Sequence, residues 1–218
     1  MKVFFFESIY NTQEYALENL KDEPVFVISY SQEKGRGTSS KKWSNADQSL
    51  ACSLSIYTDE LNLNTGLIPL VSGYVFTEVI KDRNLELKWP NDLKLNNLKI
   101  GGILVEKIQN KIVIGMGVNY FWQDPKVPGA GSLYDKKVQY SQINKDAIKW
   151  AETLLTIIKS GEFKLQNYIE RLQTIGKLIE YPEGRGWAKK VNEDGTLQIE
   201  TVEGSLINLT SNLISEVE

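Results

Sequence analysis

Residues 88 to 106 read KWPNDLKLNNLKIGGILVE, two short apolar runs joined by Asn96-Asn97. Asparagine tolerates the positive φ of a tight two-residue turn, so this stretch predicts a β-hairpin. Gly101-Gly102 falls in the second strand, where glycine weakens pairing unless something must approach the backbone. Asp92 and Lys99 place charges among residues that otherwise favour burial. The hairpin therefore predicts a site that handles an anion, either a carboxylate or a phosphate.

Two other stretches add to this picture. Residues 31 to 44, SQEKGRGTSSKKWS, form a glycine-, serine- and cation-rich segment. Such a segment is either a solvated basic loop or a loop that wraps an anion with backbone N–H groups and cationic side chains. Residues 111 to 119, KIVIGMGVN, predict a buried strand whose two glycines face the same side and leave a smooth surface for a flat ligand. The aromatic residues 120 to 122 are either a wall that stacks on adenine or a hydrophobic plug.

Composition excludes several kinds of chemistry. The 218 residues include no histidine and one cysteine. A zinc site of the usual kind, a Ser-His or Cys-His nucleophile pair and an internal disulfide are therefore excluded. The net charge of −3 disfavours general nucleic-acid binding, and no apolar run reaches the length of a membrane span. Acid–base chemistry must use Lys, Asp, Glu, Tyr or the substrate, and the single cysteine fits a reducing cytoplasm.

The quoted motifs resemble the signature of biotin protein ligases. The pentapeptide at residues 88 to 92 is followed by KIGGILVE, and residues 31 to 44 resemble the glycine-arginine loop of that family. In the loop, Gly35, Arg36, Gly37 and Trp43 match the family pattern, Lys41 keeps a positive charge, and Thr38 and Ser40 replace an arginine and a glycine. The resemblance implies an enzyme of the monofunctional type, without an N-terminal DNA-binding domain.

The implied reaction has two steps. Biotin and ATP, with Mg²⁺ on the triphosphate, give biotinyl-5′-AMP and pyrophosphate, and biotin then passes to a lysine of the biotin carboxyl carrier protein of acetyl-CoA carboxylase. Lys99 is expected to neutralise the carboxylate and the α-phosphate, Asp92 to orient or deprotonate the acceptor lysine, and Arg36 to cover the intermediate. No protein ligands for a metal, no DNA and no membrane are expected as partners, and pairing of two chains into a homodimer stays open.

The resemblance also implies the binding residues. Biotin is expected to contact Thr12, Gln13, Gln32, Gly35, Arg36, Gly37, Trp43, Lys99, Gly101 and Gly102. The nucleotide is expected to contact Arg36, Lys41, Trp43, Asn91, Lys99 and Asn119. Trp89 and Cys52 are interpreted as packing residues.

The implied fold is α+β. A mixed or antiparallel central sheet with packed helices, similar to the catalytic fold of class II aminoacyl-tRNA synthetases, is expected over residues 1 to 180, and an SH3-like barrel over residues 181 to 218. Within these, we predict a half-buried strand at 49 to 57 and helices at 144 to 160 and 163 to 175.

Two other functions remain as alternatives. The first is a lipoate or octanoate ligase or transferase, which shares this kind of fold. The second is a non-catalytic biotin-binding sensor that lost activity through the changes at Thr38 and Ser40. The acid that the protein accepts distinguishes the first alternative, and biotin-dependent turnover distinguishes the second.

Overall fold

The computed structural model describes residues 1–38, 43–210 and 215–216. A seven-stranded sheet forms the body of the molecule, in the order β1-β2-β3-β7-β6-β5-β4. Its strands are β1 (Lys2–Phe6), β2 (Val25–Ser29), β3 (Gln48–Tyr57), β4 (Glu86–Lys88), β5 (Asp92–Leu95), β6 (Leu98–Ile108) and β7 (Lys111–Phe121). β1 and β2 run parallel and every other neighbouring pair runs antiparallel, so the sheet is mixed.

Helices cover the two faces of this sheet. They are α1 (Thr12–Asn19), α2 (Ile68–Val79), α3 (Tyr140–Ser160) and α4 (Leu165–Ile169). Strand side chains alternate between two cores: Val25 and Val27 pack with Ala16 of α1, whereas Phe26 and Ile28 join the larger core that includes α2 and α3. The α+β class is confirmed. No helix in the described part of the chain is long and apolar enough to cross a membrane.

The central hairpin forms as predicted. Leu95 pairs with Leu98 across the turn, and Asn96 and Asn97 have φ values of 51° and 65°. Both values lie in the left-handed region that a two-residue turn of this type requires. The hairpin therefore fixes the register that places Asp92 opposite Gly102.

Two predictions about local structure were wrong. β3 is buried on both faces for nearly its whole length, not half-buried, because hydroxyls on its polar face are bonded inside the protein: Ser55 Oγ donates to the carbonyl of Ala16 at 2.8 Å. The predicted helix at 163–175 is helical only over α4. Beyond it the chain runs beside β4 instead, since the N–H of Leu87 donates to the carbonyl of Arg171 and that of Gln173 donates to Leu87.

A five-stranded antiparallel sheet follows, in the order β11-β10-β9-β8-β12. Its strands are β8 (Leu178–Tyr181), β9 (Gly184–Val191), β10 (Leu197–Thr201), β11 (Leu206–Leu209) and β12 (Ser215–Glu216). The turn between β9 and β10 packs on the first sheet, where the indole N–H of Trp89 donates to the carbonyl of Gly195 at 3.0 Å. Trp89 is therefore a buried packing residue. The division at residue 180 and the barrel shape stay predictions.

Candidate active site

A cleft opens on the α1 face of the large sheet, and its empty space, open solvent included, is about 460 Å³. It is lined by Thr12, Gln13, Gln32, Arg36, Gly37, Thr38, Trp43, Cys52, Asn91, Lys99, Gly102, Ile103, Leu104, Gly115, Met116 and Gly117. The sheet register determines which residues form the base of the cleft. Gly117 lies opposite Gly102, and Gly102 lies opposite Asp92, so small residues and one carboxylate form a row across three strands.

One end of the cleft contains a directional chain of hydrogen bonds. Ser53 Oγ donates to Thr12 Oγ1 at 2.8 Å, and Thr12 Oγ1 donates to Gln32 Oε1 at 2.9 Å. The backbone N–H of Thr12 also donates to Gln32 Oε1, at 2.8 Å. Because an N–H requires an acceptor, these bonds fix the amide orientation of Gln32. Among the described residues no acceptor bonds its Nε2 group, which can therefore donate to a ligand.

The N-terminus of α1 presents the next polar group. Asn11 caps the helix, since its Oδ1 accepts from the N–H groups of Gln13 and Glu14, which places Thr12 and Gln13 in the buried first turn. Gln13 Nε2 donates to the carbonyl of Leu104 at 3.4 Å. Its Oε1 therefore stays available as an acceptor.

Glycine in β7 makes room for two of these side chains. A Cβ atom at Gly115 would lie 2.9 Å from Gln13 Cδ, and one at Gly117 would lie 2.8 Å from Trp43 Cζ2. Both glycines face the cleft, as their alternation predicted. The Trp43 indole lies against Gly117, and its Nε1 group is buried without an acceptor among the described residues. A buried donor in that condition is costly unless a ligand supplies the acceptor.

Lys99 and Asp92 form an ion pair at the other end of the cleft. Lys99 Nζ lies 2.5 Å from Asp92 Oδ1, and the Lys99 side chain passes over Gly102. The carboxylate is mostly buried and the ammonium is about half exposed. An ammonium has three donors, so two remain for another anion while one stays on Asp92.

A second cavity continues from this end and encloses about 730 Å³, part of it open to solvent. It is lined by Gly37, Thr38, Trp43, Ser44, Lys99, Asn119, Trp122, Val127 and Ala130. Lys99 and Trp43 thus belong to the walls of both cavities. The amide Nδ2 of Asn119 donates to the carbonyl of Gly131 at 2.9 Å, while its buried Oδ1 has no donor among the described residues. Asn119 therefore offers an acceptor to a ligand in this cavity.

The structure brings most of the predicted site residues together. Asn91, predicted for the nucleotide, lines the first cleft and is held there because its Nδ2 donates to the carbonyl of Ile103 at 2.8 Å. Gly35 and Gly101 line neither cavity. A Cβ at Gly101 would lie 2.6 Å from the Gly117 carbonyl oxygen, so this glycine is needed for strand packing. Lys41 and Ser40 lie outside the described residues.

Sequence reasoning missed two contributors. Ser53 orients Thr12 through its hydroxyl. Glu106 is the second: its Oε2 lies 3.2 Å from Arg36 Nη2, at the wall of the cleft. Both stand on strands of the large sheet, and neither has a local signal, because the sheet register decides which side chains they meet.

Two further groups bear on the chemistry. Cys52 is completely buried, and burial raises the pKa of its thiol, which disfavours the nucleophilic thiolate. Among residues 1–38 and 43–210, no group of three or more acidic, cysteine or histidine side chains is placed to hold a metal ion. The described side chains therefore do not form a metal cage.

Comparison with known proteins agrees with this architecture. A family model, the Biotin/lipoate A/B protein ligase family, matches residues 5–119. Biotin--protein ligase 2 of Arabidopsis thaliana is 30% identical over 130 residues, which are 53% of this chain and 39% of that protein. The Biotin--[acetyl-CoA-carboxylase] ligase of Mycobacterium tuberculosis is 28% identical over 191 residues, 79% of this chain and 72% of the relative.

The fold matches a solved structure over its whole length. The biotin protein ligase from Aquifex aeolicus in complex with biotin and ATP superposes with a TM-score of 0.82 and 24% identity, covering 100% of this chain and 99% of the other. At that identity the likeness shows the fold. Because the family model spans more than half of the residues, the chain belongs to the biotin/lipoate A/B protein ligase family.

Proposed function

We propose that this chain is a biotin protein ligase, which activates biotin with ATP to biotinyl-5′-AMP and transfers biotin to a lysine of a biotin carboxyl carrier protein. The observation that carries the proposal is the pattern of unused donors and acceptors at the Thr12 end of the cleft. Gln32 Nε2 is a donor, whereas Gln13 Oε1 and the remaining lone pair of Thr12 Oγ1 are acceptors. A cyclic urea, with one carbonyl between two N–H groups, complements this pattern.

The same pattern favours biotin over lipoate or octanoate. A dithiolane ring and a plain alkyl chain have no N–H group, so both would leave the acceptors of Thr12 and Gln13 buried and unpaired. A site built to bond polar groups discriminates strongly against a ligand that lacks them. Thr12 and Gln13 are 3% and 5% exposed, so a ligand that fills the cleft would displace the little water that could pair with these acceptors.

In this proposal Lys99 acts in the first chemical step. With the urea at the Thr12 end, the carboxylate of biotin points toward the wall that both cavities share, and ATP in the second cavity brings its α-phosphate to the same wall. Two anions must approach there, and the two free donors of the Lys99 ammonium stabilise the charge that develops as carboxylate oxygen attacks phosphorus. Adenine would give its amino protons to Asn119 Oδ1.

Asp92 acts in the second step. The acceptor lysine of the carrier protein is largely protonated near pH 7 and cannot attack the mixed anhydride in that form. Asp92 Oδ1 already accepts from Lys99, so its second oxygen is the acceptor that orients the incoming ammonium and receives its proton. Mg²⁺ would accompany ATP, bound by phosphate oxygens and water, since the described residues offer no cage for it.

Transfer to a carrier protein tests the proposal as a whole. The protein is incubated with ATP, Mg²⁺, biotin and a biotin carboxyl carrier domain, and the carrier is analysed by mass spectrometry. We expect one biotinyl group on one lysine, and none on a carrier whose acceptor lysine is changed to arginine. An unmodified carrier, in the presence of folded protein that binds biotin, would support the sensor alternative instead.

A further inference from the structure

Arg36 is held by two carboxylates from different elements. Its Nη2 lies 3.2 Å from Glu106 Oε2 on β6 and 3.7 Å from Glu14 Oε1 in the first turn of α1. The three side chains together carry a net charge of −1. In this arrangement, the Arg36 cation, which lines the cleft, is already neutralised by protein carboxylates.

Arg36 can readily exchange these carboxylates for a ligand anion. The side chains of Arg36 and Glu14 are each 44% exposed and that of Glu106 is 31% exposed. Ion pairs at that exposure contribute little to folding, because water screens them and two long side chains must be ordered. The guanidinium can therefore leave its carboxylates for a ligand anion at small cost, and it can return when the ligand leaves.

We infer that Glu14 and Glu106 are positioning residues that compete with the acyl-adenylate for Arg36. The inference rests on the proposed function for the identity of the anion. In the ligand-free protein the two carboxylates hold the guanidinium. In the adenylate complex the phosphate must displace at least one of them, so the carboxylates weaken retention of the intermediate and set how quickly it is released.

Release of biotinyl-5′-AMP tests this directly. The preformed adenylate is bound, chased with excess biotin, and its dissociation is followed by the intrinsic tryptophan fluorescence of the protein, to which Trp43 at the cleft contributes. We expect Glu14→Gln and Glu106→Gln each to slow dissociation by about 1.4- to fivefold, the range for one exposed ion pair, and the double variant to slow it by about two- to thirtyfold. Glu18→Gln, an exposed carboxylate on the same helix, is the matched charge control and should leave the rate unchanged.

The Arg36→Gln background separates positioning from a structural role. If the carboxylates act through the guanidinium, Glu106→Gln has no effect on dissociation once Arg36 is Gln, whereas a structural or general electrostatic effect would persist there. Faster dissociation or an unchanged rate in the Glu→Gln variants would overturn the inference. Failure of the unmodified protein to bind biotinyl-5′-AMP would instead refute the proposed function, so the two failures are distinguishable.

Discussion

Replacement of Lys99 by methionine removes the charge at the shared wall and keeps the aliphatic chain over Gly102. At an effective dielectric constant of about 20, two unit charges about 4 Å apart interact by about 4 kcal/mol. Lys99 is 45% exposed, so screening by water roughly halves that value, to about 2 kcal/mol. The Asp92 carboxylate, now without its partner, repels the two reacting anions and adds a penalty of about 1–2 kcal/mol.

The sum is about 3–4 kcal/mol, so Lys99→Met should slow biotin-dependent ATP–pyrophosphate exchange by about 100- to 1000-fold. Lys94→Met is the control, because Lys94 lies opposite Lys99 in the strand register and lines neither cavity. We expect this control to keep nearly full exchange. A Lys99→Met protein with more than about a third of the exchange rate would refute the assignment of the Lys99 charge to the adenylation step.

The double variant Lys99→Met/Asp92→Asn tests whether the unpaired Asp92 carboxylate repels the reacting anions. If the unpaired carboxylate repels the substrates, Lys99→Met should bind biotin more weakly than the unmodified protein, and neutralising Asp92 should restore part of that affinity, as measured by calorimetry. Weaker binding in the double variant than in the single one would show that Asp92 holds biotin directly.

Three further predictions concern other parts of the site. Asp92→Asn should reduce transfer to the carrier protein at least about tenfold more than it reduces pyrophosphate exchange, because only the transfer step needs a proton acceptor; equal losses would remove the assigned role. Gly117→Ala should weaken both biotin and ATP binding by about tenfold or more, measured by calorimetry, since its Cβ would lie 2.8 Å from the Trp43 ring and displace a wall of both cavities. The Cys52 thiol should resist iodoacetamide at mildly alkaline pH in the folded protein and react after unfolding in urea, because burial raises its pKa and excludes the reagent; rapid labelling of the native protein would contradict the buried position.

The central hairpin could be predicted from sequence because its determinants are local. Two adjacent asparagines favour left-handed backbone, and both adopt it. The alternation of Gly115 and Gly117 likewise predicted that both glycines face one side of the sheet, which the Gln13 and Trp43 contacts confirm. Period-two alternation is a property of the strand itself and needs no tertiary information.

Other parts depend on contacts between distant residues. Ser53 meets Thr12 across 41 positions, and Arg36 meets Glu106 across 70. Nothing in the local sequence indicates either contact, because the sheet register alone decides which side chains become neighbours. The segment after α4 has a helical pattern but bonds to Leu87, because pairing beside β4 satisfies its backbone groups at an otherwise open sheet edge.

Buried polar residues explain the remaining difference between prediction and structure, the burial of β3 on both faces. The serines of β3 gave a pattern typical of one solvated face, yet Ser53 and Ser55 are fully buried and bonded to α1. A hydroxyl can be buried without great cost once it has a partner, and the partner is invisible in the strand's own sequence. Because its buried hydroxyl is bonded to Thr12, Ser53 also helps to form the site.

Pyrophosphate exchange with three acids in parallel tests the central claim most directly. Purified protein is given ATP, Mg²⁺ and labelled pyrophosphate together with biotin, lipoate or octanoate, and labelled ATP is counted. The donors and acceptors around Thr12 predict exchange with biotin and little or none with the other two acids. Exchange with lipoate or octanoate that equals or exceeds exchange with biotin would contradict the account of the cleft and assign the chain to the lipoate branch of the family.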